Sequence, residues 1–380
     1  MSNVTTFDSN EADQTLKVNN NTKNTSAVEN RNTQIKPVMA EYVWRGGEGE
    51  VDLRSKTRVL MIELDENNKP KGPVDLPIWN YDGSSTNQAS ADESEVILNP
   101  CAVYTDPFRG APHVMVLCDC FNAKTKDPLE NNTRPEAYKA FEEYKSHEAV
   151  YGIEQEYVLM KDGYPLNWWS RSEEGKLEPP KSNERHYCGT GSVRARKISE
   201  LHMQACLVAG INMSGMNSEV MPSQMEYQVG PVDGLSCSDQ VWMSRYLLNR
   251  ICESDGLTVC YDPRVIEGDW NGNGCHVNMS TKEMREENGL DKIMTVMPKL
   301  MKGHDELVGV CGVGSKERLT GKHETSSYEK FTFGIGDRTA SVRVPNMVEL
   351  SKKGYFEDRR PSGNMDPYLV TSTLLKQIVQ

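Results

Sequence analysis

The run Gly152-Ile153-Glu154-Gln155-Glu156-Tyr157 sets the hardest condition on how this chain can fold. Side chains alternate along a strand, so Glu154 and Glu156 point to one face. Two carboxylates side by side repel each other unless a cation or a basic partner lies between them. A fold that contains this strand must therefore bring compensating groups to that face from elsewhere. The segment Ser218 to Gln228 reads as strand, turn, strand, and a hairpin about Pro222 and Ser223 carries Glu219 and Glu226 to one region. Asn271-Gly272-Asn273-Gly274-Cys275-His276 puts a single histidine just after a glycine-rich loop. Glu357 lies in Gly354-Tyr355-Phe356-Glu357-Asp358-Arg359-Arg360-Pro361, between an aromatic pair and two arginines.

Taken singly, an exposed glutamate is usually a solvated charge and a lone histidine is more often structural than a ligand. Taken together, in apolar or Gly-rich surroundings where charge is costly, Glu154, Glu156, Glu219, Glu226, His276 and Glu357 form a candidate metal-ligand set. Oxygen-rich donors with one imidazole and no thiolate suit Mg²⁺ or Mn²⁺ rather than Zn²⁺ or Cu²⁺. So many carboxylates exceed what one octahedral Mg²⁺ takes, and two or more ions are expected. Arg318, Arg338, Arg343, Arg359 and Arg360 crowd the C-terminal part. They read either as salt bridges to the same glutamates or as a clamp on a polyphosphate and a substrate carboxylate. Thr339–Val344 is strand-like, and Arg338 and Arg343 differ by an odd number, which predicts opposite faces unless a bulge intervenes. No GxxxxGK[ST] loop occurs, so a nucleotide site here is unlike the P-loop class. Asp82, in Trp79-Asn80-Tyr81-Asp82-Gly83-Ser84-Ser85-Thr86, and Glu324, in a polar loop, read on their own as turn chemistry.

The chain has 380 residues, room for two domains, and a net charge of −12, which argues against nucleic acid or an anionic membrane as partner. Residues 1–35, rich in Asn, Thr, Ser and Glu, are expected to be a disordered tail. Residues 36–125 show short β-type runs; Val59–Ile62 and Val114–Leu117 are continuously apolar and are expected to be buried on both faces. From 131 to 380 helical and strand signals alternate, giving an α+β unit. Helices are expected from Arg134, over Ser192–Ile211 and Ser238–Asp255, from about Thr281, and over Pro367–Val379. Strands are expected over Tyr151–Met160, Leu257–Asp262 and Gly274–Met279. The ten cysteines show no CxxC pairing and read as reduced core residues. No run reaches the length of a membrane span, and no basic-then-apolar signal pattern opens the sequence, so a cytoplasmic protein is expected.

These motifs together resemble the glutamine synthetase family, specifically its eukaryotic (type II) members. The matching stretches are WNYDGSST from Trp79, GIEQEY from Gly152, NSEVMPSQMEYQVGP from Asn217, GDWNGNGCHVNMST from Gly268, RLTGKHETS from Arg318, DRTASVRVP from Asp337 and GYFEDRRPSGNMDP from Gly354. The likeness runs from about Pro37 to the C-terminus. It implies an N-terminal β-grasp domain, a larger catalytic α+β domain, and a homo-oligomer of two stacked pentameric rings with active sites between subunits. It implies ligation of ammonia to L-glutamate with ATP through a γ-glutamyl phosphate, with two or three Mg²⁺ or Mn²⁺ per site. Glu156, Glu219 and Glu226 match the ligands of one metal; Glu154, His276 and Glu357 match those of the metal bound with the nucleotide. Glu226, Gln228, Asn278, Ser280, Arg338, Arg343 and Tyr355 match ATP contacts. Arg318, Arg338, Arg359, Asn271 and Gly272 match glutamate-binding positions. Asp82, Ser85, Tyr187 and Glu324 match the ammonium pocket and its flap, with Asp82 as the base and Glu324 as the closing residue. A γ-glutamyl-polyamine ligase or a catalytically silent relative are the competing readings; all six metal positions are present, against the silent one. The chain is shorter than the family pattern between Cys188 and His202 and just before Arg318.

Overall fold

The computed structural model describes residues 34–64, 76–182, 187 and 195–380. Residues 1–33 of the expected tail lie outside the described residues, and Gln34 and Ile35 already belong to the first strand. A five-stranded sheet is built from β1 (Gln34–Arg45), β2 (Leu53–Leu64), β3 (Trp79–Asp82), β4 (Glu95–Thr105) and β5 (Val114–Asn122), in the order β2-β1-β5-β4-β3. β1 and β5 run parallel; the other neighbours are antiparallel.

The two apolar runs of this sheet fare differently. Val114–Leu117 in β5 is buried on both faces, as expected. Val114 and Val116 join the sheet's own core with Val38, Tyr42 and Leu98, while Met115 and Leu117 join the main core of the molecule. Val59–Ile62 in β2 is not: Val59 is 63 % and Met61 66 % exposed, and burial alternates along the strand. β2 is an edge strand, so only its Leu60/Ile62 side meets the sheet's core.

The rest of the described chain contains, in order, α1 (Arg134–Glu143), β6 (Val150–Lys161), β7 (Tyr164–Pro165), β8 (Ser170–Arg171), β9 (Leu177–Glu178) and α2 (Arg196–Ala209). Then come β10 (Met213–Ser218), β11 (Gln224–Asp233), α3 (Gly234–Ser254), β12 (Thr258–Cys260) and β13 (Cys275–Ser280). The C-terminal part adds α4 (Lys282–Arg285), α5 (Gly289–Lys302), α6 (His304–Val310), α7 (Ser315–Arg318), β14 (Phe333–Ile335), β15 (Val342–Val344), α8 (Asn346–Ser351), β16 (Phe356–Asp358) and α9 (Pro367–Val379). The second sheet runs β10-β11-β6-β13-β16-β15-β14, with β7 and β12 also pairing with β6. The architecture is thus a mixture of α and β, with the sheet's inner face packed on α3 and α9.

Local chemistry explains the element ends. The Asp233 carboxylate accepts from Ser236 N and starts α3 earlier than its apolar pattern suggests. Gly256, at φ +62°, ends it. Asp366 caps α9 through Tyr368 N, with Pro367 in the first turn. The same Asp366 pairs with Arg45 at 2.6 Å, tying β1 to α9. The helix expected from Ser192 appears as α2, its first residues falling partly outside the described ones. The strand expected over Thr339–Val344 shrinks to β15, because Arg338 and Thr339 form a turn. The nine described cysteines are unpaired, and Cys188 lies outside the described residues. Among the described residues no helix is long and apolar enough to cross a membrane.

Candidate active site

β6 runs through the middle of the large sheet, and its two faces differ. Tyr151, Ile153, Gln155 and Tyr157 point into the core; Glu154 and Glu156 point away from it. Antiparallel register then collects the other candidates. Asn217 stands opposite Glu226, and Glu226 opposite Glu156. Gln228 stands opposite Glu154, and Glu154 opposite His276. Asn278 stands opposite Glu357, and Glu357 opposite Arg343. Three rows of cross-strand neighbours thus bring together residues scattered along the chain from Glu154 to Glu357. The turn between β10 and β11, with Ser223 at φ +67°, brings Glu219 to the same place.

Of these, Glu154, Glu156, Asn217, Glu219, Glu226, Gln228, His276, Arg343 and Glu357 line a cavity of about 460 Å³ together with Tyr187, Asn271, Gly272, Arg318, Glu324, Arg338 and Arg359. Arg338 and Arg343 both reach it, contrary to the odd-spacing expectation. The alternation rule does not apply to Arg338, which sits in the turn before β15. A second cavity of about 540 Å³ shares Glu154 and Gln228 with the first. Its walls include Asn278, Ser280, Tyr355, Ser214 and Arg285, with Tyr151, Ile153, Val229, Pro231 and Met279 supplying much of the apolar surface.

Glu154, His276 and Glu357 offer ligand atoms within 4.8 Å of one another, the one such group of three found among the described residues. His276 Nδ1 lies 3.3 Å from Glu357 Oε1 and 3.6 Å from Glu154 Oε2. Its Nε2 accepts from Arg318 Nη2 at 2.8 Å. A Cβ on Gly274 would come within 2.5 Å of that Arg318 nitrogen and 2.8 Å of His276 Nε2, so the loop needs glycine there. Arg359 Nη1 donates to Glu357 Oε1 at 2.6 Å. Arg343 Nε lies 2.8 Å from Glu357 Oε2, at an angle that leaves this buried oxygen without a hydrogen bond. Glu156 Oε2 accepts from Gly274 N at 2.7 Å and from Gln224 Nε2 at 3.1 Å. Asn278 holds Glu154, Asn217 holds Glu219, and Gln228 donates to Glu226.

The electrostatics divide the site. Burial, and then the Glu156 charge, push the Glu219 carboxyl up to about 8. Burial and the neighbouring charges of Glu154, Glu219 and Glu156 push Glu226 well above the carboxylate range. Glu357 goes the other way. Burial works against its charge, but the His276 hydrogen bond and the charges of Arg359 and Arg343 bring it down to about 2. One end of the cleft is therefore short of positive charge and the other holds arginines in excess. A buried oxygen with no hydrogen bond, an all-oxygen set plus one imidazole, and carboxyls displaced toward the protonated form fit divalent cations of the Mg²⁺/Mn²⁺ kind.

Two expected residues lie elsewhere. Asp82 caps the short helical turn Gly83–Thr86 after β3 and Ser85 lies within it, both exposed and lining neither cavity. Asp82 accepts from Ser84 Oγ at 2.6 Å and Ser84 N at 3.0 Å, bonds that hold its carboxyl below the usual range. Glu324 sits on the rim at φ +58°, paired with Arg338 at 3.1 Å. Arg360 turns to the opposite side and is fully buried, paired with Asp358 at 2.6 Å, donating to His304 and lying over Phe331. It forms a structural salt bridge, with an aspartate rather than with the cleft glutamates. Gln224 was not among the sequence candidates, although the period of two that gives Glu226 and Gln228 one face also includes it. Asn217 and Asp269 were missed as well; only the folded register and loop path bring them to the cavity.

An acidic, metal-fitting cleft with arginines at one end and an apolar cavity at the other belongs to an enzyme that handles anionic substrates. The comparisons with known proteins say which. The family described as "Glutamine synthetase, catalytic domain" matches residues 130–380. The chain is 47 % identical to glutamine synthetase cytosolic isozyme 1-3 of Arabidopsis thaliana over 348 residues, 90 % of this chain and 94 % of that protein. It is equally similar, with the same coverage, to cytosolic isozyme 1-1 of Oryza sativa subsp. japonica. To the chloroplastic glutamine synthetase of Brassica napus it is 47 % identical over 343 residues, 89 % of this chain and 77 % of that one. The chain belongs to the glutamine synthetase family, in its eukaryotic, type II branch. Its activity is that of a glutamate–ammonia ligase, and the family uses ATP and a divalent metal.

Proposed function

We propose that the two cavities divide the reaction, the apolar one taking the base and sugar of ATP and the acidic one its phosphates, the metals and glutamate. The observation that carries this is the shared wall. Glu154 and Gln228 line both cavities, and Asn278, Ser280 and Tyr355, the expected nucleotide contacts, line the apolar one. Glu154, His276 and Glu357 would hold one cation, and Glu156, Glu219 and Glu226 another, two or three Mg²⁺ or Mn²⁺ in all. When bound, the cations neutralise phosphate charge and align it for transfer to the γ-carboxylate of glutamate, making γ-glutamyl phosphate. Arg338 and Arg343, free of the sheet core, would steady the moving phosphoryl group. Arg318 and Arg359, with Asn271 and Gly272, would read the substrate's own carboxylates. Tyr187 and Glu324 stand at the rim, where Glu324 would close the site and keep water from the acyl phosphate.

Asp82 would take a proton from ammonium so that ammonia can attack. Its exposure and its absence from both cavity walls support a site completed by a neighbouring copy, in a homo-oligomer we take to be a decamer of two pentameric rings. We infer that residues 36–125 form a β-grasp domain and 131–380 the catalytic domain; the separate core of the five-stranded sheet supports the division. We also infer a cytoplasmic protein, from its likeness to cytosolic isozymes.

The test is phosphate release from ATP in the presence of glutamate and Mg²⁺, with and without ammonia. Release that depends on ammonia and yields glutamine is the expected result. Release unchanged without ammonia, or requiring a polyamine, overturns the reading. Glu357→Ala with the parent's activity overturns the metal assignment.

A further inference from the structure

Directly behind the acidic cleft lies a charge the reaction does not use. Arg245, on α3, is fully buried, and no carboxylate among the described residues pairs with it. Its guanidinium lies over Trp242 at 4.7 Å and near Tyr261 at 5.5 Å. Nε and Nη2 both donate to Gln155 Oε1, at 2.8 and 2.6 Å. Nη1 donates to Met365 O at 3.0 Å and Nη2 to Gly363 O at 3.0 Å. Gln155 is itself fully buried and gives its own amide to Gly363 O at 2.9 Å and Glu156 O at 2.8 Å.

A buried arginine without a counter-charge is a poor device for stability alone. Apolar residues of the same volume do that as well or better. What distinguishes this pair is what it connects. Gln155 is the residue between Glu154 and Glu156, on the other face of the same strand. Its Oε1 also accepts from Cys275 Sγ at 3.4 Å, the neighbour of His276. Gly363 donates its N–H to Asn273 O at 2.8 Å, in the loop leading to His276, and a Cβ on Gly363 would collide with Tyr261 O at 2.5 Å and the Asn273 side chain at 2.8 Å. Gly363 and Met365 also close the segment that follows Glu357 and Arg359. One hydrogen-bonded node therefore fastens, from behind, the three stretches that carry Glu154, His276 and Glu357.

We propose that Arg245 and Gln155 are positioning residues for the cation held by Glu154, His276 and Glu357. They set the spacing of the three strands that bear the ligands, and they touch neither metal nor substrate. The inference rests on the metal assignment above. Groups that orient ligands from behind typically contribute about 10- to 100-fold in metal affinity.

The test is Mn²⁺ binding to the full-length protein without substrates, followed by electron paramagnetic resonance and calorimetry, beside the Mn²⁺ dependence of activity. Arg245→Met and Gln155→Leu should weaken Mn²⁺ binding about 10- to 100-fold. They should raise the metal concentration for half-maximal activity in step, with most of the lost turnover recovered at high Mn²⁺. Arg245→Lys keeps the charge but not the fork and should fall between parent and Arg245→Met. A folded Gln155→Leu or Arg245→Lys protein with the parent's Mn²⁺ affinity overturns the proposal. So does lowered thermal stability with unchanged metal dependence, the mark of a merely structural role. His276→Ala is the control: if it binds Mn²⁺ like the parent, the metal assignment has failed, and the positioning role with it. If His276→Ala loses binding and the rear variants do not, only the positioning role has failed.

Discussion

Stripped of divalent cations, this protein should lose stability as the pH rises from about 5 to 8, and Glu219→Gln should remove much of that loss. Burial and the Glu156 charge raise the Glu219 carboxyl from its ordinary 4.5 to about 8. Glu226 moves in the same direction, through burial and three neighbouring glutamates. An acid whose folded pKa lies above its unfolded one keeps its proton in the folded state where the unfolded chain has released it. Folding then binds protons between about 4.5 and 8, and stability is full below that window and falls as pH rises through it. One pKa unit corresponds to about 1.4 kcal/mol, so Glu219 alone sets an upper bound of about 5 kcal/mol. Its repulsion with Glu156 and Glu226 is shared, which brings the expected loss to a few kcal/mol. Glu357 has the opposite sign: held down to about 2, it stabilises above 4.5, and that contribution disappears as pH falls toward 2. Thermal unfolding in EDTA and in Mg²⁺ across this range reads the effect. The metal-free melting temperature should drop by several degrees toward pH 8, the drop should vanish in Mg²⁺, and metal-free Glu219→Gln should melt higher than the parent at pH 8 while being inactive. A metal-free melting temperature that is flat or rises with pH, or a Glu219→Gln slope equal to the parent's, refutes the reasoning.

Gly274→Ala should raise the glutamate KM about 10- to 100-fold, because its methyl group displaces Arg318 from His276 and a hydrogen bond involving a charged group is worth about 1.5–3 kcal/mol; steady-state kinetics with glutamate varied reads it, and a parental KM contradicts it. Tyr355→Ala, in the apolar cavity, should raise the ATP KM and leave the glutamate KM near the parent's. Arg360→Met should destabilise by about 3–5 kcal/mol in urea unfolding, since it leaves the fully buried Asp358 carboxylate unpaired.

The site was legible in the sequence to the extent that its chemistry follows a period of two. Glu154 with Glu156 and Glu226 with Gln228 share faces because strands alternate, and the structure pairs those strands side by side in one sheet. What alternation cannot supply is register. Nothing in the linear order says that Glu226 lies opposite Glu156 or Arg343 opposite Glu357, and these pairings decide which carboxyls gain and which lose a proton. The same gap explains the error over Arg338, for which a strand was extended through a turn. It also explains β2, where apolar content looked like two-sided burial until the strand proved to be an edge. Gln155 was passed over for another reason. Alternation puts it on the face opposite the two glutamates but does not name its partners; a buried amide needs them, and finding them leads to Arg245.

Asp82 presents a different problem: its residue type suits the base we propose, but within a single chain it stands apart from the cleft. It is exposed, on the five-stranded sheet, and lines neither cavity, whereas Arg318 is buried in the cleft wall. If each site joins Asp82 of one copy to Arg318 of the next, the two defects must complement. Asp82→Ala and Arg318→Ala proteins would each be inactive, since every site in either assembly carries the same lesion. Co-assembled in equal amounts, a site is intact when its Asp82 comes from an Arg318→Ala copy and its cleft from an Asp82→Ala copy, which random mixing makes true of about one site in four. Glutamine formation should therefore return to about a quarter of the parent's after co-expression or joint refolding, and not after simple mixing of finished assemblies. A co-assembled sample no more active than its parents would place Asp82 and Arg318 in the same chain's site, or Asp82 outside the chemistry altogether. The double variant Asp82→Ala/Arg318→Ala mixed with parent separates sites split between copies from sites within one copy. Sites split between copies would again leave about one in four intact, and sites within one copy about one in two.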